Sequence, residues 1–172
     1  MKRNSLVLFA MIIILGLLLS ACDMLPITVK GGGWLPYYGE QENPPETEEP
    51  IGKTTFGFTV KCFNAMEEDG VWSYDVKGHL QYVDHNTKMA ISGKVSEATQ
   101  FDEGGIFYGE YTSGGETGTF TVGVIDNGEP GTNDYFGISI DSGPYEGYIN
   151  EGKLSGGNIQ IIASEPMQSQ VP

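Results

Sequence analysis

A chain of 172 residues, 39% of them hydrophobic, is long enough for one domain with a real core and short for two. Nine Lys plus Arg against 23 Asp plus Glu give a formal charge of −14. That balance excludes nucleic acid as a natural partner, since such binding needs cations that displace counterions, and it disfavours anionic lipid headgroups; cations and neutral polymers remain.

In chain order, the first element is an export signal. Lys2 and Arg3 precede a 14-residue apolar run, Leu6 to Leu19. Crossing a bilayer takes about 20 apolar residues, so this run has the length of a signal-peptide core instead. Leu19-Ser20-Ala21-Cys22 follows directly, and it resembles the bacterial lipobox. The resemblance implies cleavage after Ala21 and a diacylglyceryl group on the Cys22 thiol. Two acyl chains would then hold the protein firmly to a membrane, where one holds only marginally. Removal of residues 1–21 leaves seven Lys and no Arg against 23 acids, a formal charge of −16.

Residues 22–26 read as a tether, 27–163 as the folded domain and 164–172 as a flexible tail. Within the domain, 39–52 (GEQENPPETEEPIG) is rich in Glu and Pro without apolar periodicity, the signature of a solvated loop. Alternation of apolar and polar residues predicts strands over 54–63, 76–84, 88–95, 106–112, 117–126, 134–141 and 152–162. In the first of these, Phe56, Phe58, Val60 and Cys62 share a face, so Cys62 is expected as a small buried apolar residue. With Cys22 lipidated, no internal disulfide is available. Turn clusters separate the strands: Glu68-Asp69-Gly70, Ser113-Gly114-Gly115, Asp126-Asn127-Gly128 and Ser142-Gly143-Pro144. No window carries the 3.6-residue period of an amphipathic helix. The expected fold is all-β: a single antiparallel β-sandwich or partly closed β-barrel of about seven to nine strands.

Four stretches taken in order resemble the post-COAP type of domain in secreted bacterial proteins. They are Gly31-Gly32-Gly33-Trp34, Thr54-Thr55-Phe56-Gly57-Phe58, Gly78-His79-Leu80-Gln81-Tyr82-Val83-Asp84-His85, and Phe120 through Gly131. The last continues into Asp134 to Ile140 and ends at Leu154 to Ile161. The resemblance covers roughly 27–163 and implies an extracellular β module, with no activity or ligand attached to it.

Chemistry is sparse. His79 and His85 share a strand face, but six residues at about 3.3 Å rise separate them by roughly 20 Å, too far for one zinc ion. Ser139 lacks a nucleophile elbow, and no serine has a base and an acid in an evident relation to it. The loop 126–134 gathers hard oxygen donors in a turn, so Asp126, Asn127, Glu129, Asn133 and Asp134 are candidate calcium ligands. Its spacing departs from the EF-hand, and a plain hairpin loop is the competing reading. Trp34, Tyr37, Tyr38 and Trp72 are candidate ligand-binding aromatics, with a packed β core as their alternative role. The reading as a whole is a lipid-anchored, extracytoplasmic, non-catalytic envelope module without an obligatory cofactor. Its membrane contact is the Cys22 anchor and its partner is a protein or glycan. The alternative is a module that binds carbohydrate or calcium.

Overall fold

The computed structural model describes residues 26–38, 49–68, 71–99 and 103–163, and of 64–67 and 71–74 the backbone alone. The export signal, Cys22, the tether up to residue 25, most of the 39–52 loop and the 164–172 tail lie outside the described residues. Nine strands form one antiparallel sheet curled into a half-barrel. They are β1 (Ile27–Tyr37), β2 (Gly52–Glu68), β3 (Val71–Asp84), β4 (Met89–Thr99), β5 (Gly104–Ser113), β6 (Glu116–Ile125), β7 (Tyr135–Ile140), β8 (Ile149–Lys153) and β9 (Gly156–Ala163). The one helical turn among the described residues is a 3-10 turn, Gly131–Asn133. The spatial order is β8-β7-β6-β5-β4-β3-β2-β1-β9.

Alternation dictates what faces inward. Phe56, Phe58, Val60 and Cys62 of β2 are buried, as are Leu80 and Tyr82 of β3, Phe120, Val122 and Val124 of β6, and Phe136, Ile138 and Ile140 of β7. Each such side chain contributes about 1.5–3 kcal/mol when taken fully out of water. The curl is visible in ring contacts between strands far apart in the sheet. Phe56 of β2 stacks on Phe136 of β7 at 3.9 Å between centroids, and Phe58 meets Phe107 of β5 at 5.2 Å. Tight curvature needs room on the inside, and glycine supplies it: a Cβ on Gly109 would lie 2.7 Å from the Phe120 ring. Register shifts between Phe63 and Met66, and between Val95 and Glu97, add local twist. The β5–β6 hairpin closes on Gly114-Gly115 with φ of 59° and 92°, the positive-φ pair that suits a two-residue turn.

Two elements differ from the sequence expectation. β1 was not among the expected strands, although it pairs with both β2 and β9 along most of its length. The stretch expected as one strand over 152–162 is divided between β8 and β9. β8 pairs with β7, running Ser139↔Ile149 to Tyr135↔Lys153, and β9 pairs with β1, running Trp34↔Gly156 to Ile27↔Ala163. The change of partner falls between neighbouring residues: Leu154 N donates to Asp134 O, and Ser155 N donates to Trp34 O, each at 3.0 Å. One chain segment thus supplies both edge strands of the sheet, passing from one to the other at Leu154–Ser155.

Candidate functional site

The acidic loop 126–134 joins β6 to β7 and lies against β9. Asp134 is fully buried; its Oδ1 accepts from Asn127 N at 2.9 Å and its Oδ2 from Ile159 N at 2.7 Å. Asp126 accepts from Gly128 N through Oδ1 and from Ile161 N through Oδ2, both at 2.9 Å. Glu129 Oε1 accepts from Asn158 Nδ2 at 2.8 Å and from Gln160 Nε2 at 3.2 Å, while Asn127 Nδ2 donates to Asn133 O at 2.7 Å. The loop therefore brings all five candidate calcium ligands together, and it engages the carboxylates of Asp126, Glu129 and Asp134 with β9 or with its own backbone. Hydrogen bonds to charged acceptors contribute about 1.5–3 kcal/mol each, so this is a latch that fixes the last strand. Among the described residues, no group of three or more His, Cys, Asp or Glu side chains is arranged to hold a metal ion.

A second polar cluster sits inside the opposite end of the half-barrel. Asp84 is fully buried at the end of β3 and accepts from Asn86 N at 2.8 Å and Thr87 N at 3.2 Å, capping the turn. Its Oδ2 also accepts from Tyr148 OH at 3.1 Å, and Tyr148 OH lies 2.8 Å from Tyr82 OH. Asn150 Nδ2 then donates to Tyr82 OH at 3.0 Å and to Thr54 Oγ1 at 2.9 Å. Burial first, then the neighbouring Tyr82 and the Asp84 carboxylate, push the Tyr148 phenol above its ordinary range. Tyr82 is likewise raised by burial, with its hydrogen bonds opposing. Phenols held protonated act as donors and not as bases, so the cluster ties β2, β3 and β8 together. It has no activated nucleophile. Cys62 points into the core, and burial pushes its thiol up to about 12, far from a reactive thiolate.

The candidate aromatics do not form one surface. Tyr37 faces inward, 7% exposed, and stacks on Tyr148 at 6.4 Å. Trp34 lies on the outer face of β1, 39% exposed, where a Cβ on Gly156 would meet its indole at 2.5 Å. Tyr38 is half-buried just past β1, and Trp72 belongs to β3 with its side chain outside the described residues. His79 is exposed on β3, and His85, in the following turn, has Nε2 3.0 Å from Thr55 Oγ1.

The feature that sequence reading missed lies on the outer wall of β5 to β8. Register lays out three rows across these strands. The middle row runs Ile106, Gly123, Gly137, Glu151. Above it stand Tyr108, Thr121, Ser139 and Ile149; below it stand Gly104, Ile125, Tyr135 and Lys153. Gly123 and Gly137 face each other across β6 and β7 and leave the centre of the middle row without side chains of its own, with the Glu151 side chain lying against Gly137. The result is an open groove of about 600 Å³, with Ile106, Ile125, Tyr135, Ile149 and Glu151 among its lining. Ile125 and Ile149 are 41% and 63% exposed and stand beside the same depression. Tyr135 has its phenol pushed up, by burial first and then by the Glu151 charge and a hydrogen bond to that carboxylate.

Packing does not require the glycine at 123. A Cβ there would meet nothing within 4 Å, whereas inner glycines such as Gly93 and Gly109 lie against the Phe120 ring. Mid-strand glycine costs about 0.5–1 kcal/mol relative to alanine. The only signal in the sequence was a glycine on the outward set of each strand; that the two pair is set by register. Compared with protein-family models, curated proteins and solved structures, the chain matches none.

Proposed function

We propose that this chain is a lipid-anchored, extracytoplasmic β domain acting as a non-catalytic interaction module of a bacterial envelope. The observation that carries the reading is a contrast between inside and outside. Inside, Asp84, Tyr148, Tyr82 and Asn150 are engaged with one another, while the outer wall of β5 to β8 keeps a groove over Gly123, a glycine that packing does not need. The sequence Leu19-Ser20-Ala21-Cys22 supports the anchor, and the resemblance to post-COAP type domains supports an extracellular setting. Distance supports the geometry as well. β1 begins at Ile27, five residues beyond Cys22, a span of roughly 17 Å at full extension. The end of the half-barrel that holds the 126–134 latch would therefore lie near the membrane, leaving the wall accessible from the side.

Metabolic labelling with a palmitate analogue, followed by fractionation, tests the anchor in the full chain. Wild type should carry label and sediment with membranes; Cys22→Ala should lose both. Label and sedimentation retained in Cys22→Ala would end the reading.

A further inference from the structure

We infer that the β5–β8 groove docks a protein segment that presents a large apolar side chain next to a lysine or arginine; this rests on the interaction-module reading above. Shape defines the apolar part. The floor at Gly123 is one side chain deeper than the rows on either side, Glu151 lies against Gly137 next to it, and strands about 4.8 Å apart set Ile106 and Glu151, the two ends of the row, some 14 Å apart. Ile106 closes it on the β5 side, and Ile125 and Tyr135 wall it along one flank. A leucine or phenylalanine seated on the floor would bury apolar surface that is now wet.

Charge defines the rest of the partner. Glu103 and Glu151 are the charged residues of the lining, with no cation among them, and Lys153 stands in the lower row outside it. The whole chain carries −14, so a second copy would meet a like charge and an acidic segment would be repelled. A cation adjoining the seated apolar group can reach Glu151 at one end of the groove or Glu103 at another. The occupant is therefore both apolar and basic, which separates it from a neutral glycan and from a simple polycation.

The test uses the full chain in a neutral detergent and three fluorescent twelve-residue peptides, alternating Leu/Lys, Ser/Lys and Leu/Glu. Gly123→Leu fills the floor, and Gly57→Leu is its control, since Gly57 also has nothing within 4 Å of a Cβ and lies on the outer face of β2. Any partition into the micelle is common to both variants. Anisotropy should report Leu/Lys binding to wild type and Gly57→Leu alike, at least tenfold weaker binding to Gly123→Leu, and a similar loss in Glu103→Lys/Glu151→Lys. Ser/Lys and Leu/Glu should bind at least tenfold more weakly than Leu/Lys. Equal binding to Gly123→Leu and Gly57→Leu would overturn the inference. So would Ser/Lys matching Leu/Lys, which reduces the effect to bulk charge, or a neutral oligosaccharide whose binding Gly123→Leu abolishes. Those results leave the palmitate and fractionation readouts untouched, so failure of the groove and failure of the anchor are separable.

Discussion

At the scale of single residues, the fold depends on a few buried polar groups whose role is set by geometry. Asp134 is the clearest: both carboxylate oxygens accept backbone N–H groups, one of them from Ile159 of β9. In Asp134→Asn the amide would turn a donor toward one of those N–H groups. Leaving a buried donor unmet costs about 1–3 kcal/mol, more when a charged acceptor is lost, so urea unfolding of this variant should show a loss of about 2–3 kcal/mol. Millimolar calcium should stabilise neither wild type nor the variant, because the Asp126 and Asp134 carboxylates already accept backbone N–H groups. Cys62 gives a second test with its sign defined. Burial pushes its folded pKa from the ordinary 9.0 up to about 12, so the native state keeps a proton that the unfolded chain releases. Stability from this residue is fully present below about pH 9 and is lost as pH rises toward 12. Cys62→Ala should flatten that alkaline decline, read as the slope of urea midpoint against pH, whatever its effect on stability at neutral pH. An unchanged slope would assign the decline to the raised tyrosines instead.

At the scale of elements, the strands that sequence revealed are those whose inward residues are bulky. β6 and β7 alternate Phe, Val and Ile with Thr, Ser and Gly, and their expected limits, 117–126 and 134–141, lie within a residue of the observed ones. β1 was missed because Gly31 and Gly33 occupy inward positions between Val29 and Leu35, so the alternation is blank where it should be strongest. The blank has a cause: a Cβ on Gly31 would lie 2.9 Å from both Ile159 and Phe58. β8 was folded into a single longer strand because its inward residues are Asn150 and Gly152, and no local signal marks the change of partner at Leu154–Ser155. That junction is testable. Ser155→Pro removes the N–H that meets Trp34 O, and it should destabilise the protein by about 3 kcal/mol or more while β2 to β6 keep their amide-exchange protection longest. Protection lost first from β5 and β6 would contradict the junction as the local weak point.

At the scale of the whole molecule, the sequence made the fold class legible and left the groove illegible. Apolar alternation and turn chemistry suffice for an all-β chain of seven to nine strands. The calcium candidates 126–134 were found as a cluster, because acids crowded in a turn are visible in one dimension. Their occupation by Ile159 and Ile161 was not, since those partners lie more than twenty residues away. The groove is an extreme case of the same limit. Its floor is two glycines that pair only through register, and its rim comes from four strands. The molecule that results is a half-barrel held at one end by its latch, with the apolar groove of β5 to β8 facing outward.

The central claim, that this outer wall is the working surface, is tested most directly by photo-crosslinking in the producing cell. A benzoylphenylalanine placed at Ser139, on the groove rim, should give a discrete adduct in the membrane fraction, lost when Gly123→Leu is added. The same group at Thr59, on the outer face of β2, should give none. An adduct at Thr59 with none at Ser139, or one at Ser139 that survives Gly123→Leu, would place the working surface elsewhere.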